Sequence, residues 1–206
     1  SAFDAKYNDA LSSTFVIKQR NGNPDRVTGN LRASMTETAL TLEGPLSKKT
    51  TFLSSARKSY LGLLFKMVDL PIRPNFWDFQ YKINHRFNDK TTLTAIGIGA
   101  IDNFSFAPTK KSTPENIYVL RSTPYVNQWT YTLGFTLNRK IKNGFMNFIV
   151  SRNMFETTLD KFQDQNKIEQ NRTLFVKSHE AENKFRFDYN KLINGWRLSA
   201  GLDAQY

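Results

Sequence analysis

Residues able to carry out bond chemistry are scarce in this sequence. It contains no cysteine and two histidines, His85 and His179. Without cysteine there is no thiol nucleophile, disulfide framework or zinc ribbon. Neither histidine has a second metal ligand at a useful spacing, and the HEAEN run that begins at His179 lacks the second histidine of a zinc-protease helix. The sequence therefore predicts no catalytic residue, no metal site and no cofactor.

Side chains suited to non-covalent ligand capture are found instead between residues 103 and 126. Aromatic and arginine side chains are good anchors for a bound partner. The candidates in this segment are Phe104, Phe106, Tyr118, Arg121 and Tyr125. The alternative is that these side chains pack the segment against its neighbours. The segment has three prolines and no sustained hydrophobic period, so it is predicted to be a long loop.

Three segments that could position such a loop alternate strictly between apolar and polar residues. This period of two indicates β-strands, because successive side chains of a strand point to opposite faces. The apolar members are Trp77, Phe79, Tyr81, Ile83, His85 and Phe87; Trp129, Tyr131, Leu133, Phe135 and Leu137; and Trp196, Leu198, Ala200, Leu202, Ala204 and Tyr206. Two architectures fit: a soluble antiparallel sheet with one face on a core, or a membrane β-barrel with lipid outside and a wet lumen inside.

Connection lengths favour the membrane barrel. Short connections are predicted near 46–49, 88–90, 140–144 and 191–195, and longer ones near 67–75, 103–126 and 157–170. Such alternation is typical of outer-membrane barrels, which have short periplasmic turns and long extracellular loops. The predicted strands, about ten to fifteen residues long, exceed the ~5–6 residues usual in globular sheets.

Further elements complete the prediction. We expect a short strand over 13–18, one continuous element from Thr50 to about Phe65, and a strand over 76–87 that follows a proline-containing loop. The glycines Gly97 and Gly99 interrupt another predicted strand, which suggests a close backbone approach or a bend.

Composition narrows the function classes. The net charge is +11 with a pI near 9.8, but the basic residues are scattered and form no aromatic–basic platform of the kind that binds RNA. Nucleic acid is therefore not a predicted partner. The 17 Phe, 8 Tyr and 3 Trp residues are compatible with the aromatic girdles of membrane barrels.

Two segments of the sequence resemble the TonB-dependent outer-membrane receptors of Bacteroidota-type bacteria. ALSSTFVIKQRNGN, residues 10–23, looks like the end of that family's plug domain. LTLEGPLSKKTTFLSSARKSYLGLL, residues 40–64, looks like its first barrel strands. The resemblance implies a plug end and linker over 1–25 and the N-terminal part of an all-β, antiparallel transmembrane barrel over 26–206. About nine strands are expected here, out of the roughly 22 of such transporters.

The resemblance also implies a function, which is capture of a nutrient at the cell surface and its energised uptake through the barrel, without bond chemistry. It implies a location in the outer membrane of a Gram-negative bacterium and contact with outer-membrane lipid. The energy-coupling TonB protein would bind through a segment upstream of this sequence, and an unknown extracellular nutrient would contact the 103–126 loop. Residues expected to face the lumen are Asp78, Gln80, Lys82, Arg86, Gln128, Lys184 and Arg186.

Two other interpretations of the sequence stay open. One is a complete eight-stranded outer-membrane barrel with a structural or adhesive role. The other is a soluble β-sheet binding module.

Overall fold

A single antiparallel sheet dominates the computed structural model, which describes residues 13–163 and 166–206. Its nine strands lie side by side in sequence order. They are β1 (Thr28–Ala33), β2 (Glu37–Ser47), β3 (Thr50–Ser59), β4 (Ile72–Asn88), β5 (Thr91–Phe106), β6 (Tyr125–Ile141), β7 (Gly144–Phe162), β8 (Arg172–Ile193) and β9 (Trp196–Gln205). The predicted all-β, antiparallel class is confirmed. Within the described residues β1 pairs with β2 alone and β9 with β8 alone, so the sheet is open.

The strand register places the alternating residues on common faces. Trp77 pairs with Ile101, and Ile101 pairs with Trp129, so the apolar sets of β4, β5 and β6 lie on one side. We call this side the apolar face and the opposite side the polar face. On the apolar face Phe148 lies opposite Phe187, with ring centroids 4.8 Å apart. The polar face carries all seven residues predicted to face a lumen, Asp78, Gln80, Lys82, Arg86, Gln128, Lys184 and Arg186.

The apolar face is largely uncovered. Among the described residues the buried hydrophobic side chains are Leu53, Tyr125 and Phe162. On the apolar face, by contrast, Trp77 is 47% exposed and Phe135 is 48% exposed. A soluble sheet buries its apolar side against a core, and the described residues supply no second layer over this face.

From β2 onwards, connection lengths separate the two ends of the sheet as the sequence predicts; the three-residue connection 34–36 between β1 and β2 is a short one at the other end. Short turns at 48–49, 89–90, 142–143 and 194–195 lie at one end, which we call the turn end. Asn194 (φ 48°) and Gly195 (φ 85°) both have left-handed backbone conformations, as the two-residue turns best matched to twisted hairpins require. The other connections lie at the opposite end, the loop end.

The prediction of an irregular loop over 103–126 is wrong in part. Strand β5 continues to Phe106, β6 begins at Tyr125, and a helix, α2 (Pro114–Ser122), lies between them. Its start has a clear local cause, because the Thr113 side chain accepts a hydrogen bond from the Asn116 amide and Pro114 occupies the first turn. Both features favour a helix start.

Two other boundaries also differ from the prediction. The element expected from Thr50 to Phe65 is strand β3 followed by a separate helix, α1 (Leu61–Met67), whose residues are mostly good helix formers. The loop expected over 67–75 ends early, because β4 starts at Ile72 and includes Pro74. Pairing of β4 with β3 begins at Trp77, so Pro74 lies where β4 has a strand neighbour on one side only, which a missing N–H tolerates.

Strand lengths were underestimated at the loop end. Strand β7 runs to Phe162, so residues 157–162 of the loop expected over 157–170 belong to a strand, whereas β8 begins just beyond that range, at Arg172. Residues 13–18, predicted to be a short strand, have no regular secondary structure. Residues 1–12, which include the start of the plug-like segment 10–23, lie outside the described residues. No helix among the described residues is long and apolar enough to cross a membrane.

Gly97 and Gly99 create space for aromatic rings on the apolar face. Tyr81 is paired with Gly97 and Phe79 with Gly99. A Cβ at position 97 would lie 2.2 Å from Tyr81 Cε1, and one at position 99 would lie 2.5 Å from Phe79 Cε2. The groups nearest these glycines are therefore two aromatic side chains of the neighbouring strand rather than the backbone approach that was expected, an arrangement that compensates for glycine in a sheet.

We expect Gly97→Ala to destabilise the assembled protein by about 1–3 kcal/mol, because the new methyl group displaces the Tyr81 ring. Gly134→Ala is the matched control, since a Cβ there meets nothing closer than 3.7 Å. Thermal unfolding in detergent measures both. Equal melting temperatures for the two variants would contradict the packing argument.

Candidate functional site

A chain of charged side chains crosses the polar face. Arg57 Nε donates to Asp78 Oδ2 at 2.7 Å, and Arg57 Nη1 donates to Glu37 Oε2 at 3.0 Å. Arg32 donates to the same glutamate. The network links β1, β2, β3 and β4, and opposite charges neutralise one another along it. Such a surface suits water rather than hydrocarbon.

The adjacent cations Arg57 and Lys58 point to opposite faces. Lys58 is on the apolar face near the loop end of β3, where its ammonium lies 4.6 Å from the Trp77 ring centroid and donates to Asn75. A lysine can reach a polar boundary from this position because its charge is at the end of a long apolar stem.

A segment that precedes the first strand lies across the polar face. We call residues 19–23 the crossing segment. Lys82 Nζ donates to the Gln19 carbonyl oxygen at 2.6 Å, and Arg20 Nη2 donates to Glu43 Oε1 at 2.7 Å. The Asn23 amide donates to Glu43 Oε2 at 3.0 Å. Leu53, on the polar face between Glu43 and Lys82, is 6% exposed. The crossing segment therefore covers the part of the polar face around Glu43, Leu53 and Lys82.

Gly22 allows the crossing segment to lie close to the sheet. A Cβ at this position would be 1.9 Å from the Phe52 carbonyl oxygen and 2.6 Å from its carbonyl carbon. These are backbone atoms of a paired strand, so they cannot rotate away as a side chain would. Glycine is thus required here for steric reasons.

An aromatic cluster lies at the loop end and contains three of the five predicted ligand contacts. The Phe104 and Phe106 ring centroids are 5.8 Å apart, those of Phe106 and Tyr125 are 5.2 Å apart, and those of Tyr125 and Phe162 are 6.3 Å apart. Tyr125 is 9% exposed and Phe162 is 7% exposed. These rings pack on one another, as the packing alternative proposed. Tyr118 and Arg121 lie apart on α2, where Tyr118 is 72% exposed.

Two cations complete the cluster. Lys167 Nζ lies 3.8 Å from the Tyr125 ring centroid. Arg172 lies over the rings of Phe162 and Phe175, and it pairs with Asp160 at 3.1 Å and Glu169 at 2.6 Å. Sequence reasoning missed both cations because it looked for ligand anchors between residues 103 and 126. No local pattern marks them, since the Tyr125 and Phe162 rings that they contact lie on other strands.

One carboxylate joins two loop-end connections. Asp69 Oδ1 accepts a hydrogen bond from the Lys110 amide at 2.8 Å, and Oδ2 accepts one from the Lys111 amide at 3.1 Å. The hydrogen bond from Lys110, and then that from Lys111, hold the pKa of Asp69 below its ordinary value. Asp69 therefore stays ionised and ties the connection after α1 to the one before α2.

The two histidines lie in different surroundings. His85 Nδ1 and Thr50 Oγ1 are 2.8 Å apart, and the His85 ring packs edge-on against Phe87. His179 is exposed. Across residues 13–163 and 166–206 there is no group of three or more His, Cys, Asp or Glu side chains that could hold a metal ion.

Comparisons with models of known protein families, with curated proteins and with solved structures gave no match. The arrangement of this chain's own residues must therefore support any assignment. That arrangement provides a charged face under a crossing segment and a loop end with aromatic and cationic groups. Both are suited to non-covalent binding.

We expect Gly22→Ala to lift the crossing segment and accelerate tryptic cleavage after Arg20, because the added methyl group collides with the Phe52 carbonyl. Gly134→Ala serves again as the control. Unchanged cleavage in Gly22→Ala would show that the segment does not lie against β3.

We expect the Asp69 link to be pH-dependent. Because the folded-state pKa is lowered, its stabilising effect is complete above the ordinary aspartate pKa and is lost as pH falls through the folded value. Protection of the Lys110 and Lys111 amides from hydrogen exchange should fall in this acidic range. In Asp69→Asn, which tolerates the local φ of 57°, protection should be weaker at neutral pH and should no longer follow pH. Glu115→Gln in the same connection is the control, and identical profiles for all three proteins would refute the link.

Proposed function

We propose that this chain forms the end of the plug and part of the barrel of a TonB-dependent outer-membrane receptor. In this proposal the receptor captures a nutrient outside the cell and carries it through the barrel in an energised step. The observation that supports it best is the crossing segment, which lies over the charged face of an open antiparallel sheet whose other face is apolar and exposed. A plug inside a barrel requires this arrangement.

The two faces suit two different solvents. Exposed apolar patches larger than a few hundred Å² are rare on soluble monomers, yet rings such as Trp77, Phe135 and Phe185 are 40–48% exposed along the apolar face. Lipid would remove the cost of hydrating them. The charged network of Glu37, Arg57 and Asp78 would face an aqueous lumen.

The open edges favour a barrel larger than nine strands. Strand β8 pairs with β9 from Lys184 onwards, and Asn183 exchanges backbone hydrogen bonds with Tyr206, so from Arg172 to Glu182 the regular ladder of β8 lies on the β7 side. The outer edges of β1 and β9 likewise have no strand partner among the described residues. Each unsatisfied backbone group costs several kcal/mol in hydrocarbon. We infer that further strands pair with these edges, in a barrel of about 22 strands.

The two ends then have different tasks. The turn end faces the periplasm, where an upstream segment would reach the energy-coupling partner. The loop end faces outside, where exposed Tyr118 and Arg121 on α2 are the first candidates for contact with a nutrient. The packed rings of Phe104, Phe106 and Tyr125 would support the loops rather than make the first contact with the nutrient.

The other two interpretations receive less support. A complete small barrel needs closure and, in bacterial outer-membrane proteins, an even number of strands, whereas the sheet that the described residues form is open and has nine. A soluble binding module needs a layer over the apolar face.

The experiment that tests the proposal uses the natural gene in its own host. Cells with and without the gene are offered labelled iron chelates, cobalamin, oligosaccharides and peptides, with and without a protonophore. We expect uptake of one class to require both the gene and an energised inner membrane. Uptake that is independent of the gene in all four classes would refute the function.

Matched variants test the membrane assignment in the same cells. Arginine on the lipid face costs about 2–4 kcal/mol at the bilayer midplane, so Phe185→Arg should lower the amount of assembled protein in the outer membrane. Lys184→Arg, the adjacent residue on the polar face, should leave it unchanged. Equal tolerance of both changes would count against a membrane barrel.

A further inference from the structure

A shallow groove lies on the apolar face between β6 and β9, with a volume of about 540 Å³. Its floor is a row of residues paired across neighbouring strands. Phe135 pairs with Val150, Val150 with Phe185, and Phe185 with Ala204. Val150 is 47% exposed and Phe185 is 40% exposed. The floor is therefore apolar and accessible from outside the sheet.

The next row towards the loop end is different. It contains Leu133, Arg152 and Asn183, paired in that order. Arg152 is exposed and lines the same groove. Its Nε donates to the Tyr131 hydroxyl at 3.2 Å and its Nη1 donates to Asn183 Oδ1 at 3.1 Å. These two neutral partners fix the guanidinium at the rim of the groove.

The charge of Arg152 is not neutralised by the protein. Among the described residues no carboxylate forms an ion pair with it, whereas the carboxylate closest along the same face, Glu156, pairs with Lys177 at 3.5 Å. Nη2 of Arg152 has no acceptor in the described part of the chain. Arg152 is therefore a cation with unused N–H donors beside a hydrophobic surface. An anion that has an apolar portion is complementary to both features.

We propose that this groove binds a phosphate-bearing, acylated lipid, with the phosphate at Arg152 and an acyl chain along Phe135, Val150 and Phe185. The site rests on the proposed function, because the lipid comes from the leaflet that surrounds the loop-end half of the sheet. Guanidinium is suited to phosphate because its planar N–H groups match the phosphate oxygens. A free phosphate ion would leave the apolar floor unused.

The position of Arg152 fits the boundary of a bilayer. Towards the turn end the apolar face continues through Phe148, Phe187 and Tyr189. Towards the loop end it becomes polar within two rows, at Glu156 and His179, which are paired with each other. A headgroup at Arg152 and a chain pointing to the turn end therefore match the direction of a lipid in the proposed topology.

The test uses the natural full-length protein, extracted from its membranes into an uncharged maltoside detergent and stripped of lipid. It is titrated with dioleoyl phosphatidylglycerol, with dioleoylglycerol, which has the same chains and no phosphate, and with inorganic phosphate. Native mass spectrometry gives the bound fraction. We expect phosphatidylglycerol to bind at least about tenfold more tightly than either control, which corresponds to about 1.4 kcal/mol.

Four variants assign the selectivity to residues. Arg152→Gln should abolish the preference for phosphatidylglycerol over dioleoylglycerol, and Arg152→Lys should retain part of it. Val150→Thr, similar in size but more polar, should weaken both lipids. Arg86→Gln removes a cation from the opposite face, away from the groove, and should change nothing. Heat-modifiable gel mobility checks that each variant is assembled, and Arg152→Lys keeps the test decisive if Arg152→Gln does not assemble.

The possible outcomes separate this site from the proposed function. Equal binding of the two lipids by the unaltered protein would overturn the lipid site alone. So would a preference for phosphatidylglycerol that is as large in Arg152→Gln or Arg152→Lys as in the unaltered protein. Complete competition by inorganic phosphate would show a simple anion site and overturn it too. Absence of the protein from the outer-membrane fraction would overturn the proposed function and the lipid site together.

Discussion

The structure depends on one constraint: alternate residues of each strand must suit two different surroundings, one on the polar face and one on the apolar face. A change of register by one residue would exchange the faces of a strand. The pairing of Trp77, Ile101 and Trp129 on one side, and of Arg57 with Asp78 on the other, shows that β3, β4, β5 and β6 share the same two faces. The small volumes of Gly97 and Gly99 then let rings from β4 lie over β5, which locks this register by shape as well as by hydrophobicity.

The crossing segment uses the same constraint in another way. Polar side chains on the polar face of the sheet need partners, and Lys82 and Glu43 find them in the backbone and side chains of residues 19–23. The segment is held by hydrogen bonds and an ion pair over a small apolar floor at Leu53. Such contacts are specific in position, yet each is modest in strength compared with a hydrophobic core.

Sequence patterns could predict what depends on neighbours along the chain. Alternation placed Phe79, Lys82, Phe135 and Lys184 on the correct sides, and turn residues such as Asn194 and Gly195 marked the turn end. Helix α2 could also have been predicted, since Thr113 and Pro114 favour a helix start. Contacts between distant residues could not be predicted: Lys82 and Gln19 are 63 positions apart, and no local pattern specifies their contact. Pro74 was misjudged because its tolerance depends on where the adjacent strand ends.

The Asp69 link has a consequence for how the loop end could recognise a ligand. Two connections that are separate in sequence are joined through one carboxylate, so neither can explore positions independently of the other. Their loss of conformational freedom takes place when the chain folds and not when a ligand arrives. A ligand that contacts both connections would therefore meet a preorganised surface, and less of its binding free energy would be spent on ordering the protein.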